Sequence, residues 1–149
     1  MTLKRRVTVL AVVAALLSQG NLLVAQGGEK FMARLAWVPT SGVDRGNVAG
    51  QGSATGTLSG TTLSLTGSFE GLAAPATVAR LHRGVATGAR GEAIADLTVT
   101  RATSGTLSGS VSLTAEQVDA LRAGRLYIQV HSEKGVPPDG GTLWGWLLR

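Results

Sequence analysis

The chain has 149 residues, no cysteine, two histidines and three tryptophans, with 14 Lys/Arg against 9 Asp/Glu. The missing cysteine excludes disulfides, thiolate metal sites, thiol nucleophiles and lipid attachment through a cysteine after an export signal. Without Lys4, Arg5 and Arg6, eleven basic residues face nine acidic ones, and they are scattered. A clustered basic face for nucleic acid is therefore excluded.

Lys4 to Arg6 form a basic n-region, Val7 to Leu17 an apolar run, and Ala25 ends a small-residue exit. This is the pattern of a secretory signal peptide over residues 1–25. Ser18-Gln19-Gly20-Asn21 breaks the run before the ~20 apolar residues that a membrane span requires. Cleavage leaves a single domain, residues 26–149, that is secreted or periplasmic and has no membrane span.

Short apolar runs broken by Gly, Ser and Thr then predict strands over Lys30–Trp37, Val48–Leu58, Thr61–Phe69, Thr77–His82 and Gly91–Thr100. Thr106–Leu113, Arg125–His131 and Thr142–Leu148 complete the set. About eight strands at even spacing imply an all-β, antiparallel β-sandwich of Greek-key or Ig-like type. One short helix is specified between them. Thr114 and Gln117 form a capping box, Leu113 can staple onto Val118, and Gly124 is placed to end it. Gly56-Thr57-Leu58-Ser59-Gly60 recurs as Gly105-Thr106-Leu107-Ser108-Gly109, which either a duplicated hairpin or chance in so Gly/Ser/Thr-rich a chain explains.

Alternation also sorts the polar residues. Leu126, Ile128 and Val130 share one face of their strand, and Tyr127, Gln129 and His131 the other. Ala79 and Leu81 face inward, which sets Arg80 and His82 outward. If the two strands are neighbours, these side chains gather into one patch. Two imidazoles could then hold copper or zinc, with Glu92 or Asp96 as a third ligand. The other reading of His82 and His131 is a ring that bonds a backbone carbonyl and pins a turn. Glu92 and Asp96 alternate with Ile94 and are expected on one solvent face. No nucleophile elbow, phosphate loop or convergent acid pair emerges, so no enzyme is expected. Trp144 and Trp146 must share a face. Either they form an exposed pair for a protein or a glycan, or they are core and the flanking leucines lie outside.

An ordered set of segments is more specific than any one of them. Phe31-Met32-Ala33-Arg34-Leu35 leads to Val38-Pro39, followed by Gly71-Leu72 and Ala76 to Gly84. Leu107-Ser108-Gly109 then runs into Leu113 to Gln117, and Leu121 to His131 precedes Gly140-Gly141. In this order the chain resembles the CHRD (chordin-type) domain family over roughly residues 30–148. The resemblance implies an extracytoplasmic β-sandwich without established enzymatic activity, a binding or structural module for an unidentified extracytoplasmic protein. Many members carry His-x-His where this chain has Arg80-Leu81-His82, and close with Gly-Gly-Glu-Ile-Arg-Gly where it has Gly140-Gly141-Thr142-Leu143-Trp144-Gly145. The two histidines also loosely resemble the copper ligands of copper/zinc superoxide dismutases, in arrangement alone. Arg80, a fixed cation in place of a ligand, counts against a metal there.

Overall fold

Small and apolar residues at alternate positions give the strands one face suited to burial, and the eight strands turn that face toward a single core. The computed structural model describes residues 27–149, so the predicted export segment lies outside the described residues. In chain order the elements are β1 (Glu29–Trp37), β2 (Gln51–Ser59), β3 (Thr62–Glu70), β4 (Ala76–Gly84), β5 (Gly91–Val99) and β6 (Gly105–Ser112). Helix α1 (Ala115–Arg122), β7 (Leu126–Val136) and β8 (Gly141–Trp146) follow. Among the described residues no helix is long and apolar enough to cross a membrane.

All eight predicted strands form, but they close into a barrel in the order β1-β2-β3-β6-β5-β4-β7-β8 rather than stacking as an open sandwich. The order β7-β4-β5-β6 is a Greek key. Closure comes from two corner strands that change partners. β1 pairs with β2 from Glu29 to Leu35, and then with β8 through Ala36 and Trp37. β5 pairs with β4 as far as Leu97, and then with β6 through Thr98 and Val99. Inward and outward residues alternate identically in a sandwich and a barrel, so periodicity cannot distinguish the two.

Phe31 and Leu35 from β1, Leu63 and Leu65 from β3, Leu81 from β4, and Ile128 and Val130 from β7 are fully buried in the interior. Helix α1 adds Val118, Ala120 and Leu121 to the same cluster. Its capping box forms as expected: Gln117 N–H donates to Thr114 Oγ1 at 3.2 Å, and the Gln117 side chain accepts from Thr114 N–H at 3.0 Å. Gly124, at φ +68°, ends it. Glu29 accepts from both Arg122 and Arg149, which ties the start of β1, the end of α1 and the chain terminus together. The Arg122 guanidinium, first among these influences, holds the Glu29 carboxyl below the usual carboxylate range. The repeated pentapeptide is no structural repeat. Its first copy ends β2 and enters the turn at Gly60, while its second copy opens β6.

The β1–β8 seam leaves no room for a side chain at Gly145. A Cβ on Gly145 would lie 2.6 Å from the Arg34 carbonyl oxygen and 2.8 Å from Leu35 Cδ2. Gly145→Ala should therefore cost about 1–3 kcal/mol in urea denaturation, the usual penalty for overpacking. Gly46→Ala, where nothing lies within 4 Å of the added carbon, should leave the midpoint near wild type.

Candidate functional site

Neighbouring residues on β4, β7 and β8 point to opposite walls of the barrel. Ala79, Leu81, Ile128, Val130 and Leu143 fill the interior, which leaves Arg80, His82, Tyr127, Gln129, His131, Trp144 and Trp146 on the outer wall. Register brings all seven predicted residues together. His82 lies opposite Tyr127, Tyr127 opposite Trp146, and Gln129 opposite both Arg80 and Trp144.

An outer wall ordinarily faces water. Here Tyr127, Gln129 and His131 are each 1% exposed and His82 is 7% exposed. Two connections fold back to cover them. Where the β4–β5 connection enters β5, Tyr127 Oη donates to the Gly91 carbonyl at 3.3 Å and accepts from Gly91 N–H at 3.2 Å. Arg90 Cζ lies 5.9 Å from the Trp144 ring centre. In the β7–β8 connection, Asp139 accepts three bonds: from His131 Nδ1 on its carbonyl at 2.8 Å, from Gln129 Nε2 at 3.4 Å and from Gly141 N–H at 3.2 Å. The Ser132 and Thr142 hydroxyls meet at 2.7 Å beneath.

The rings form a continuous cluster centred on Tyr127. His82 stacks on Tyr127 at 4.8 Å and 17°, and Trp146 packs on the same ring at 4.5 Å. Trp144 meets Tyr127 edge-on at 5.7 Å and 82°, and Trp146 at 5.8 Å and 67°. The centres of the two imidazoles are 6.4 Å apart, with planes 24° from parallel.

Neither histidine closes its strand, because β4 continues to Gly84 and β7 to Val136. Each ring does bond a backbone carbonyl, as the turn-pinning reading expected: His82 Nδ1 donates to Gly91 O at 3.2 Å, and His131 Nδ1 to Asp139 O. A carbonyl only accepts, so Nδ1 carries the proton and the neutral ring keeps its lone pair on Nε2. Both Nε2 atoms are buried and have no hydrogen-bond partner.

The indoles fit neither expected arrangement fully. Leu143 and Leu147 take the core, while Trp144 and Trp146 sit outside it, half-buried against Tyr127. The expectations for the acids fail more clearly. A register shift between Leu81 and His82 sets Asp96 opposite Arg80 but Glu92 opposite Arg83, so the two acids face opposite ways. Asp96 Oδ1 accepts from Arg80 Nε at 2.8 Å, so it is engaged and does not serve as a third metal ligand. Among the described residues, no group of three or more His, Cys, Asp or Glu side chains is placed to hold a metal ion. Gly91 acts through backbone groups alone and Asp139 meets the imidazole through its carbonyl, so side-chain patterns did not single out either.

Burial, the largest influence, pushes the His82 imidazole below its ordinary pKa. Its bond to Gly91 opposes this, and the nearby His131 and Arg80 add to it. A His with a depressed folded pKa binds its proton more readily when unfolded. Its stabilising contribution is therefore complete above the unfolded pKa of ~6.5 and declines as pH falls below it. Urea midpoints measured with a chelator at about pH 7.5 and about pH 5.5, either side of that value, should drop for the wild type and drop less for His82→Gln.

The residues of the CHRD domain match this chain from 33 to 139. No curated protein and no solved structure matches it. The match covers most of the barrel, including both histidines and the connections that cover them, and the chain belongs to the CHRD-domain family.

Proposed function

We propose that this chain is an exported, non-catalytic binding module that contacts a protein outside the cytoplasm through the β8–β1 side of its aromatic wall. CHRD domains are typically extracellular modules, which agrees with the export signal read at residues 1–25. The observation that carries the reading is the contrast between the two outer walls. Across β2, β3 and β6 the outer wall is hydroxyl-rich: Thr55 opposes Thr66, which opposes Ser108, and Thr57 opposes Ser64, which opposes Ser110. All except the half-buried Thr57 are exposed. Across β8 and β1 the outer wall instead presents Trp144, Trp146 and Leu148 beside Ala36 and Met32, the last of these 70% exposed, with Arg34 the one exposed charge between them. Half-buried indoles held by a Tyr ring are rigid anchors, the kind of side chain that supplies most binding energy at protein interfaces.

A photo-crosslinking residue at Leu148 should capture a discrete protein in the producing cell's exterior, and one at Thr66 should not. Trp144→Ala should weaken the captured complex by about 2 kcal/mol or more, whereas Thr66→Ala should leave it unchanged. Equal capture from both walls would refute the assignment, and release of the captured species by glycosidase alone would assign the stripe to a glycan.

A second reading rests on a separate observation. The paired, unpartnered Nε2 atoms of His82 and His131 support metal binding at the covered end of the same wall, with copper or zinc as the candidates.

A further inference from the structure

We propose that His82 and His131 together bind one monovalent copper ion, each through Nε2, in a two-coordinate site. The proposal rests on the metal-binding reading and narrows it to one ion and one geometry. Both rings already hold the tautomer that this role requires. A metal-binding imidazole typically donates its second ring nitrogen to a carbonyl, which fixes the tautomer and aims the other nitrogen at the metal. Gly91 and Asp139 supply those two carbonyls, at 3.2 and 2.8 Å. The lone pairs that remain are buried and meet no donor. That is a costly state for a polar atom, and an ion relieves it.

Distance supports a shared ion. Two imidazoles bound through nitrogen at ~2.0–2.1 Å each, in a nearly straight line, hold their ring centres roughly 6 Å apart. The observed separation is 6.4 Å with the rings stacked at 24°, so the spacing suits a shared ion, and the rings must turn to bring both Nε2 atoms onto it.

The donor count selects the ion. Zinc takes four ligands in structural sites, and divalent copper prefers a tetragonal set. The other polar groups around the rings are committed elsewhere: Gln129 to Asp139, the Tyr127 hydroxyl to Gly91, and Arg80 to Asp96. Only two nitrogen donors remain. Monovalent copper has a filled d shell and accepts two imidazoles in line. Charge favours the smaller cation: Arg80, though bonded to Asp96, still disfavours positive charge at His82, and more strongly than the Asp139 carboxylate favours it, so a singly charged ion costs less here than a doubly charged one. Binding involves no change in oxidation state.

The test is an anaerobic titration of the purified protein with monovalent copper against a chromogenic chelator, with parallel arms for zinc and divalent copper. One monovalent copper per chain is expected. His82→Ala and His131→Ala, each checked for folding by circular dichroism, should weaken uptake by roughly a hundredfold or more, beyond the 10–100-fold that losing an outer-shell partner costs. In the unmutated protein, nitrogen NMR should show both Nε2 resonances shifting on copper addition while both Nδ1 resonances stay in place, which keeps the test independent of how the variants fold. Zinc bound as tightly as monovalent copper would overturn the two-coordinate assignment and leave the metal-binding reading standing. No uptake of any of the three ions would overturn both. Copper uptake that survives both substitutions, or leaves the Nε2 resonances unmoved, would overturn the proposal.

Discussion

Burying Tyr127 on the outside of a closed barrel is the constraint on which the rest of this wall depends. Its neighbours along β7, Leu126 and Ile128, are committed to the interior, so the phenol ring must project outward. Something other than the core has to bury it. The β4–β5 connection does so by bonding the hydroxyl twice through Gly91, and the rings of His82, Trp144 and Trp146 complete the enclosure. A large aromatic ring contributes most when it is fully enclosed and its polar tip is satisfied, and Tyr127 meets both conditions. The loop positions that anchor this cover are therefore as structural as the strands.

The β4–β5 loop is anchored independently of the rings, which gives that side of the site its rigidity. Thr87 Oγ1 donates to the Gly124 carbonyl at 2.7 Å, and Gly84 N–H to the Arg125 carbonyl at 2.8 Å. The β4–β5 loop is thereby fastened to the C-terminal end of α1, a helix whose capping box and left-handed terminator are both in place. On the other side Asp139 joins three groups through one residue. The two histidines are thus held from opposite loops across one sheet. Their separation is set by strand register, and their orientation by backbone carbonyls.

Much of this was legible in the sequence, for a physical reason. Alternation reports which residues share a wall, so the grouping of Arg80 and His82 with Tyr127, Gln129 and His131 followed from period two once β4 and β7 proved adjacent. The capping box was readable because it depends on residues three apart. Three things were not readable. Closure depends on where β1 and β5 change partners, and the facing pattern is the same either way. The shift between Leu81 and His82 inserts one residue into β5 opposite β4, which reverses the relative facing of Glu92 and Asp96 without altering any residue type. The partners of the imidazoles are carbonyls, and every residue has one, so no side-chain pattern could single out Gly91 or Asp139.

The same logic explains how one sheet face can carry two chemistries. Along β7 the outward residues run Tyr127, Gln129, His131, from aromatic to imidazole, and β8 continues the aromatic end through Trp146 and Trp144. Gln129 lies between the two halves, and its amide is spent on Asp139. It thus separates the apolar stripe on the β8–β1 side from the buried nitrogen pair on the β4–β7 side. A ligand that engages the indoles need not disturb the histidines, because the stacking path from Trp146 to His82 passes through a tyrosine whose position is set by two backbone bonds. The two halves therefore touch only through a fixed ring. Arg80 fits this division, because Asp96 draws its guanidinium toward β5.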